Sequence, residues 1–446
     1  MKIGGLEIDL LGGVNGIGGN LILITYGDSK IVLDLGVQLS SLRRYYTWPT
    51  RMPRDIHELI KLGLAPRVED LYADWTPEGD VDLEKQPETD VAGVFLSHFH
   101  LDHTYLISQI NRRIPLFMGE GAKVFFDFTR ETRRETRFWR LGQIETRTFR
   151  TREKVRCGVF EVYPVHIDHS IPSAYGFIVE TPEGAVAYTG DFRMHGPMRS
   201  FTKEFARLCA ESEPEVLISE GTNFYGVSTL LEGEVREEVT SVMKSVKGAV
   251  LASFSEKDVD RFKSYVEAAE LSGRRILSPH TQIYLIHKLR QEDPKLRNTL
   301  PKVESDLFSA YHVTTPRGSK KKICDVVESL GIEVIDARAH LEGETLRSAV
   351  VTSFVPMLQS LSTVDLPEGT TALFSESEPR DEEGEIEHER ILNWLDHIGI
   401  PSYRIHCSGH IYPHDLKKVV QEIDPNKLEI IHSEHPEALK RFLIKK

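Results

Sequence analysis

The chain has 446 residues and is poor in several things that would mark particular classes of protein. Its four cysteines, Cys157, Cys209, Cys324 and Cys407, lie far apart and form no CxxC pair. That excludes a disulfide framework and a thiolate zinc site, and reads as reduced thiols in a cytoplasmic protein. No run of about 18 apolar residues occurs, so no membrane span is expected. The start, MKIGGLEIDLL, lacks a basic segment followed by an apolar one and does not read as a secretory signal. A surplus of positive charge is missing too: the formal net charge is −13. That argues against a general polyanion binder, which needs clustered Lys and Arg. The glycine run GGVNGIGGN does not follow the G-x-G-x-x-G spacing and precedes a strand-like stretch, so a nucleotide cradle is disfavoured. There is no internal repeat and no long low-complexity segment.

What is present is an ordinary soluble composition, 40% hydrophobic and 28% charged. The length predicts two or three domains. LEIDLLGG and NLILITYGDSKIVLDLG read as strands, the second as a hairpin with Gly27-Asp28 at its tip. Residues 39 to 90 are irregular except for a helix at RDIHELIKLGL. DVAGVFLS, VFEVYPVHI, AYGFIVETP and GAVAYTGDF read as further strands. From about residue 235 the texture changes to short apolar strands alternating with helices, which signals a parallel α/β sheet. One local exception to the acidic balance runs from Arg130 to Arg156, with ten basic and four acidic residues. Phe138, Trp139 and Phe149 are interleaved there, a composition that suits single-stranded nucleic acid. The competing reading is a solvated face with its aromatics turned to the core. PRGSKKK, Pro316 to Lys322, is a smaller basic cluster.

The stretch with the most chemistry is VFLSHFHLDHTYL. His98, His100, Asp102 and His103 crowd directly behind a strand. Two histidines two apart leave extended backbone on one face. The adjacent Asp102 and His103 can be aimed by a turn at a second point nearby. Imidazole and carboxylate are ligands for zinc or manganese. Four ligands in six residues exceed what one ion takes from one loop, so they suggest half the coordination of two ions. His169, Asp191 and His432 each follow an apolar strand and would complete a set of seven, with Asp191 as a bridge.

The ordered motifs SHFHLDH, DHSIP, YTGDF, SEGT, HCSGH and IIHSE resemble metallo-β-lactamase-fold nucleases of the β-CASP group, in particular RNase J and its archaeal relatives. The nuclease subunit of the cleavage and polyadenylation specificity factor is similar. The motifs run from Asp34 to His432, nearly the whole chain. The resemblance implies an α/β fold: a metallo-β-lactamase αββα sandwich with an inserted β-CASP α/β cap. The sandwich would occupy residues 1–225 and 401–446, and the cap 226–400. It implies one divalent ion on His98, His100 and His169, a second on Asp102, His103 and His432, and Asp191 between them. Zinc is the first expectation and manganese the second. Glu220 matches the family's acidic motif, and His410 and His432 its later histidine motifs. Asp102, Glu220 and His410 are then the catalytic residues. A histidine at the position of His432 goes with RNA rather than DNA substrates.

The implied function is two-metal hydrolysis of RNA phosphodiester bonds in RNA processing or decay, by exonuclease or endonuclease action. The implied partner is single-stranded RNA, with no membrane, and a homodimer is left open. His166 and His435 are read as structural. The pattern also departs from the family. No Gln-Gly-Glu stretch occurs in the cap, where Val350 to Ser360 is the nearest match. Gly16 stands where relatives carry glutamate. Little sequence follows His432, so the further C-terminal domain of bacterial RNase J is not expected. Competing readings are a DNA nuclease or small-phosphodiester hydrolase of the same fold, and a non-catalytic RNA-processing scaffold.

Overall fold

The computed structural model describes residues 1–47, 51–74, 86–133, 138–224, 230–339, 341–377, 379 and 381–444. Arg134 and Arg137 of the basic stretch, and part of the irregular 39–90 segment, lie outside the described residues. The chain divides into two compact units. The first is Met1–Met194 with Met198–Val227 and Gly409–Lys446; the second is Ser228–Ser408 with His195–Pro197.

The first unit is built on two sheets. In one, Leu6–Gly12 pairs antiparallel with Leu21–Tyr26, which turns back onto Ser29–Leu33. The turn is Gly27-Asp28, and Gly27 has the positive φ that a two-residue hairpin loop requires. Val91–Phe95, Leu116–Gly119 and Thr146–Phe149 extend this sheet in parallel. The other sheet joins Phe160–His166, Tyr175–Thr181 and Gly184–Tyr188 antiparallel, then adds Val216–Glu220 and Lys427–Ile431 in parallel. The sheets bury a shared core: Ile8, Ile24, Ile31, Phe95 and Phe117 from one side, and Phe160, Phe177, Val186, Ile218 and Ile431 from the other. Phe95 and Phe117 stack at 4.5 Å. Helices Arg199–Glu211 and Pro413–Ile423 cover the outer face of the second sheet through Phe205, Cys209, Leu416 and Val420. Val216–Glu220 is buried along its whole length because both of its faces are covered, as expected for a parallel strand inside an α/β layer. This is the αββα sandwich of the metallo-β-lactamase fold.

The second unit is one parallel sheet of seven strands. In spatial order they are Val334–Asp336, Phe308–His312, Arg275–Pro279, Ala349–Thr352, Val250–Ser253, Thr371–Phe374 and Ser402–Arg404. Helices alternate with them, as the change of texture near residue 235 predicts. Helix Val259–Leu271 starts at Asp258, whose carboxylate accepts from the Arg261 amide. Arg261 is fully buried and holds Glu232 through two bonds of 2.9 and 3.0 Å. No helix among the described residues is long and apolar enough to cross a membrane.

The aromatics of the basic stretch follow the second of the two readings, with their faces turned to the core. Phe138, Trp139 and Phe149 are 1%, 6% and 1% exposed, so they offer no faces to nucleic acid bases. Phe138 and Trp139 pack on Tyr105. Much of the charge around them is answered locally: Arg130 by Asp127, Arg147 by Glu145, Arg150 by Glu120, Arg152 by Glu204, and Lys154 and Arg156 by Glu161. The interleaved aromatics belong to the core, not to a base-stacking surface.

Candidate metal centre

All nine residues singled out as site residues lie in the first unit. Most follow the end of a strand, and Glu220 is the last residue of Val216–Glu220. Val91–Phe95 runs into a loop whose His100 opens a short helix, Leu101–Thr104. Extended backbone at His100 followed by one helical turn separates the first two imidazoles from Asp102 and His103. Asp191 lies beyond Gly184–Tyr188, after a bend at Gly190 with φ of 59°. His169 follows Phe160–His166, and His432 follows Lys427–Ile431 directly. His432 itself takes φ of 53°, a costly conformation for a non-glycine residue that is concentrated at functional sites.

The ligand atoms fall into three groups: His98, His100 and His169; Asp102, His103, Asp191 and His432; and Glu220, His410 and His432. In the first, His98 Nε2 and His169 Nε2 lie 3.0 and 3.1 Å from His100 Nδ1. In the second, Asp191 Oδ2 is 3.0 Å from His103 Nε2 and 3.4 Å from His432 Nε2, and Asp102 Oδ2 is 3.1 Å from His432 Nε2. Asp191 Oδ2 also lies 3.8 Å from His98 Nε2, which places it between the first two groups.

The outer nitrogens determine what the inner ones can do. His103 Nδ1 faces Asp34 Oδ2 at 2.7 Å, and a carboxylate only accepts, so Nδ1 carries the proton. The Ser97 hydroxyl spends its proton on Asp34, so His98 Nδ1 must donate to Ser97 Oγ at 3.0 Å. His169 Nδ1 donates to the Gly409 carbonyl at 2.7 Å. Thr222 Oγ1 donates to Glu220 Oε2 at 2.6 Å and accepts from His432 Nδ1 at 2.7 Å. Four imidazoles therefore turn Nε2 lone pairs inward, against one another and against carboxylate oxygens. Asp191 Oδ1 is buried with no hydrogen-bond partner. Acceptors converging at such distances need cations among them, so the residues fit divalent metal ions bound by His and Asp.

The electrostatics split the four imidazoles. Burial opposes the charged form, but Asp191, Asp34 and Asp102 raise the pKa of His103 well above the ordinary histidine value, and Asp191 and Asp102 raise that of His432, so without a metal protons stand where cations would otherwise sit. Burial and the neighbouring imidazoles push the His98 and His169 pKa values well below the ordinary histidine value, which keeps both rings neutral and ready to ligate. For Asp191, burial works to raise the pKa, but His103 and His432 outweigh it and hold the carboxyl well below the usual range. Asp102 is lowered in the same way, chiefly by His103 against the cost of burial.

Several positioning residues were not among the candidates. Asp34, fully buried and at φ of 58°, accepts from the Ser97 amide and hydroxyl, the Tyr188 hydroxyl and His103. Thr222 ties Glu220 to His432. The glycine run contributes by close approach. The Gly19 amide donates to the Asp102 carbonyl, the Gly13 carbonyl accepts from the His432 amide, and a Cβ at Gly18 would lie 2.7 Å from Asp102 Oδ2. The signal was in the sequence, as an aspartate closing a strand and a run of glycines. The partners, however, sit 69 and 154 residues from Asp34 along the chain.

Glu220 is fully buried and accepts from the amides of Phe192 and Thr222. Its Oε1 lies 3.2 Å from His410 Nδ1. Burial raises its pKa and His410 more than offsets that, so the carboxyl is held below its ordinary value. The His410 side chain is 18% exposed, unlike the buried imidazoles of His98, His103 and His432. His166 stacks on Tyr175 at 4.2 Å, and His435 lies against Phe224 at 5.4 Å. Neither joins the three groups of ligand atoms.

Residues 77–210 match the family model described as a β-lactamase superfamily domain. Ribonuclease J 2 of Streptococcus pyogenes serotype M3 is 26% identical over 285 residues, 61% of this chain and 45% of that protein. Ribonuclease J of Sinorhizobium meliloti is 22% identical over 80% of this chain and 60% of its own length. Ribonuclease J of Thermus thermophilus is 23% identical over 94% of this chain and 67% of its own length. The chain thus spans 45% and 60% of the first two relatives. A crystal structure of a protein of unknown function from Enterococcus faecalis V583 superposes with a TM-score of 0.71, at 22% identity, over 96% of this chain and 94% of that one. The chain is a metallo-β-lactamase-fold protein, similar over most of its length to the ribonucleases J.

Proposed function

We propose that this chain is a metal-dependent ribonuclease that hydrolyses RNA phosphodiester bonds at a binuclear centre. The observation that carries the reading is the position of Asp191 Oδ2, within 3.8 Å of His98 Nε2 and within 3.4 Å of His103 and His432. His98, His100 and His169 would hold one divalent ion, Asp102, His103 and His432 the other, and Asp191 would serve both. Zinc suits this nitrogen-rich set, and manganese is the alternative. The ions, when bound, lower the pKa of water and neutralise charge developing on a phosphate. Similarity to ribonucleases J favours RNA, and single-stranded RNA presents the scissile phosphate without a duplex to open. The second unit is taken as the inserted β-CASP cap.

The remaining chemistry belongs to the chain's own groups. Asp102, with its side chain 21% exposed, is placed to orient or accept the proton of the attacking water. His410 donates its Nδ1 proton to Glu220, which leaves Nε2 to hydrogen-bond the scissile phosphate or protonate the departing 3′ oxygen. Glu220, held ionised, accepts from that Nδ1 and fixes the orientation of the imidazole. The products would be a 5′-phosphate and a 3′-hydroxyl. The test is cleavage of labelled single-stranded RNA with added Zn²⁺ or Mn²⁺ by the wild-type chain and by Asp102→Asn and His103→Ala. Loss of cleavage in both supports the reading, and undiminished cleavage sinks it. Parallel reactions with single-stranded DNA and bis-p-nitrophenyl phosphate separate an RNase from a DNase or a small-phosphodiester hydrolase. RNAs with 5′-triphosphate, 5′-monophosphate and 5′-hydroxyl ends separate exonuclease from endonuclease action by product length.

A further inference from the structure

His169 and Asp191 leave strands that are not neighbours. Phe160–His166 and Gly184–Tyr188 lie on either side of Tyr175–Thr181 and pair with it rather than with each other. Strands two places apart in a sheet are separated by about 9–10 Å, so the hydrogen-bond ladder does not by itself set the spacing of the loops beyond them. The loop that carries Asp191 passes close over the start of the middle strand. Gly190 has φ of 59°, and a Cβ there would lie 2.8 Å from the Tyr175 carbonyl oxygen.

The two loops then meet at Asp168 and Arg193, the residue before His169 and the second residue after Asp191. Neither was singled out in the sequence. Both are buried, at 1% and 0% exposure. Arg193 Nε donates to Asp168 Oδ1 at 3.0 Å, and the Arg193 amide donates to the Asp168 carbonyl at 2.8 Å. Asp168 Oδ2 accepts from the Met198 amide at 2.9 Å, where helix Arg199–Glu211 begins. Thr202, fully buried in that helix, closes the ring: its hydroxyl accepts from the Asp168 amide at 3.0 Å and donates to the Arg193 carbonyl at 2.9 Å.

Desolvating an aspartate and an arginine is costly, and a buried ion pair is weak evidence for stability, because apolar side chains of the same size often do as well. Its best-attested gain is register, the selection of one geometry over its neighbours. Here the geometry selected is that of two loops, each ending in a candidate metal ligand one or two residues from the pair. Groups held just behind metal ligands orient them, and their loss weakens metal binding even though they touch no ion.

On the binuclear reading proposed above, we infer that Asp168 and Arg193, joined by Thr202, are positioning residues that set the spacing of His169 and Asp191, and so of the first ion and the carboxylate it shares with the second. Titration of the metal-free chain with Mn²⁺, followed by electron paramagnetic resonance, tests this in wild type, Asp168→Asn and Thr202→Val. Paired Mn²⁺ ions sharing a carboxylate give a spin-coupled spectrum, and separated ions give the spectrum of isolated Mn²⁺. Asp168→Asn keeps the size of the side chain and removes the charge that faces Arg193. Thr202→Val keeps the ion pair and removes the hydroxyl that joins the two loops. Each should weaken Mn²⁺ binding at least about tenfold and replace part of the coupled spectrum by the isolated one, with Thr202→Ser restoring both. Circular dichroism checks folding, and the Thr202 variants decide should Asp168→Asn fold poorly. A ring that serves stability alone would lower the melting temperature and leave the affinity and spectrum of the folded protein at wild-type values; that result in the folded variants overturns the inference. A wild-type chain that binds one Mn²⁺ and shows no coupled spectrum overturns the binuclear reading itself, and the inference with it.

Discussion

Replacing Asp34 by Asn isolates one oxygen of one buried carboxylate. Asparagine tolerates the left-handed backbone that Asp34 adopts, so the change adds little strain. Oδ1 can go on accepting from the Ser97 amide at 2.7 Å. Oδ2, which accepts from Ser97 Oγ, Tyr188 Oη and His103 Nδ1 at 2.7 to 2.8 Å, becomes an NH₂ group. The two hydroxyls can rotate. The imidazole has no such freedom: to accept from the new amide it must move its proton to Nε2, the atom 3.0 Å from Asp191 Oδ2. Its metal-binding lone pair is then lost. His98 is reached as well, through Ser97. Losing an outer partner of a metal-bound histidine typically weakens metal affinity about 10–100-fold. The broken buried bonds should lower the stability of the metal-free chain by about 2–4 kcal/mol. The assay is competitive Zn²⁺ titration against a chromophoric chelator, with thermal melting of the metal-free protein alongside. Affinity within about threefold of wild type would refute the tautomer argument, because that argument allows no route by which His103 keeps both partners.

Four further outcomes follow from the same geometry. Thr222→Val removes the hydroxyl shared by Glu220 and His432 and should weaken metal binding and slow RNA cleavage, with Thr222→Ser restoring both; equal behaviour of the two variants in metal titration and cleavage assays would show that the hydroxyl is idle. His410→Ala should slow cleavage by about 10²–10³-fold while bound metal, read by elemental analysis, stays unchanged; disappearance of metal would make His410 a ligand. Removing metal with a chelator should lower the melting temperature, and metal at 100 times its Kd should restore about 2.7 kcal/mol; melting that ignores metal would argue against the site. Gly36→Ala would set a Cβ onto the Asp102 carbonyl oxygen, so it should reduce folded yield and metal binding together; wild-type values for both would mean that the loop moves aside freely.

Much of the candidate metal centre was legible in the sequence because most of its residues follow strands. Period-two apolar runs end at His98, His169, Asp191 and His432, and a strand end at a sheet edge presents the next polar side chain. Local turn chemistry was equally readable, as at Gly27-Asp28. The outer layer was not. Asp34 and Thr222 look like ordinary strand-end polar residues, and their roles come from partners far away along the chain. The glycine run from Gly12 to Gly19 was set aside as a nucleotide cradle without a sign that it cradles Asp102 and His432 instead. Phe138, Trp139 and Phe149 stayed open between two readings because composition alone does not tell an aromatic facing a core from one facing a ligand.

The central claim is that seven side chains hold two divalent ions around Asp191. The most direct measurement is the metal content of the purified chain after saturation with Zn²⁺ and removal of excess, for wild type and Asp191→Ala, alongside RNA cleavage. The account predicts two ions per wild-type chain, and fewer ions with little cleavage for the variant. One ion or none in a wild-type chain that still cleaves RNA, or a variant that keeps both its ions and its activity, would contradict it.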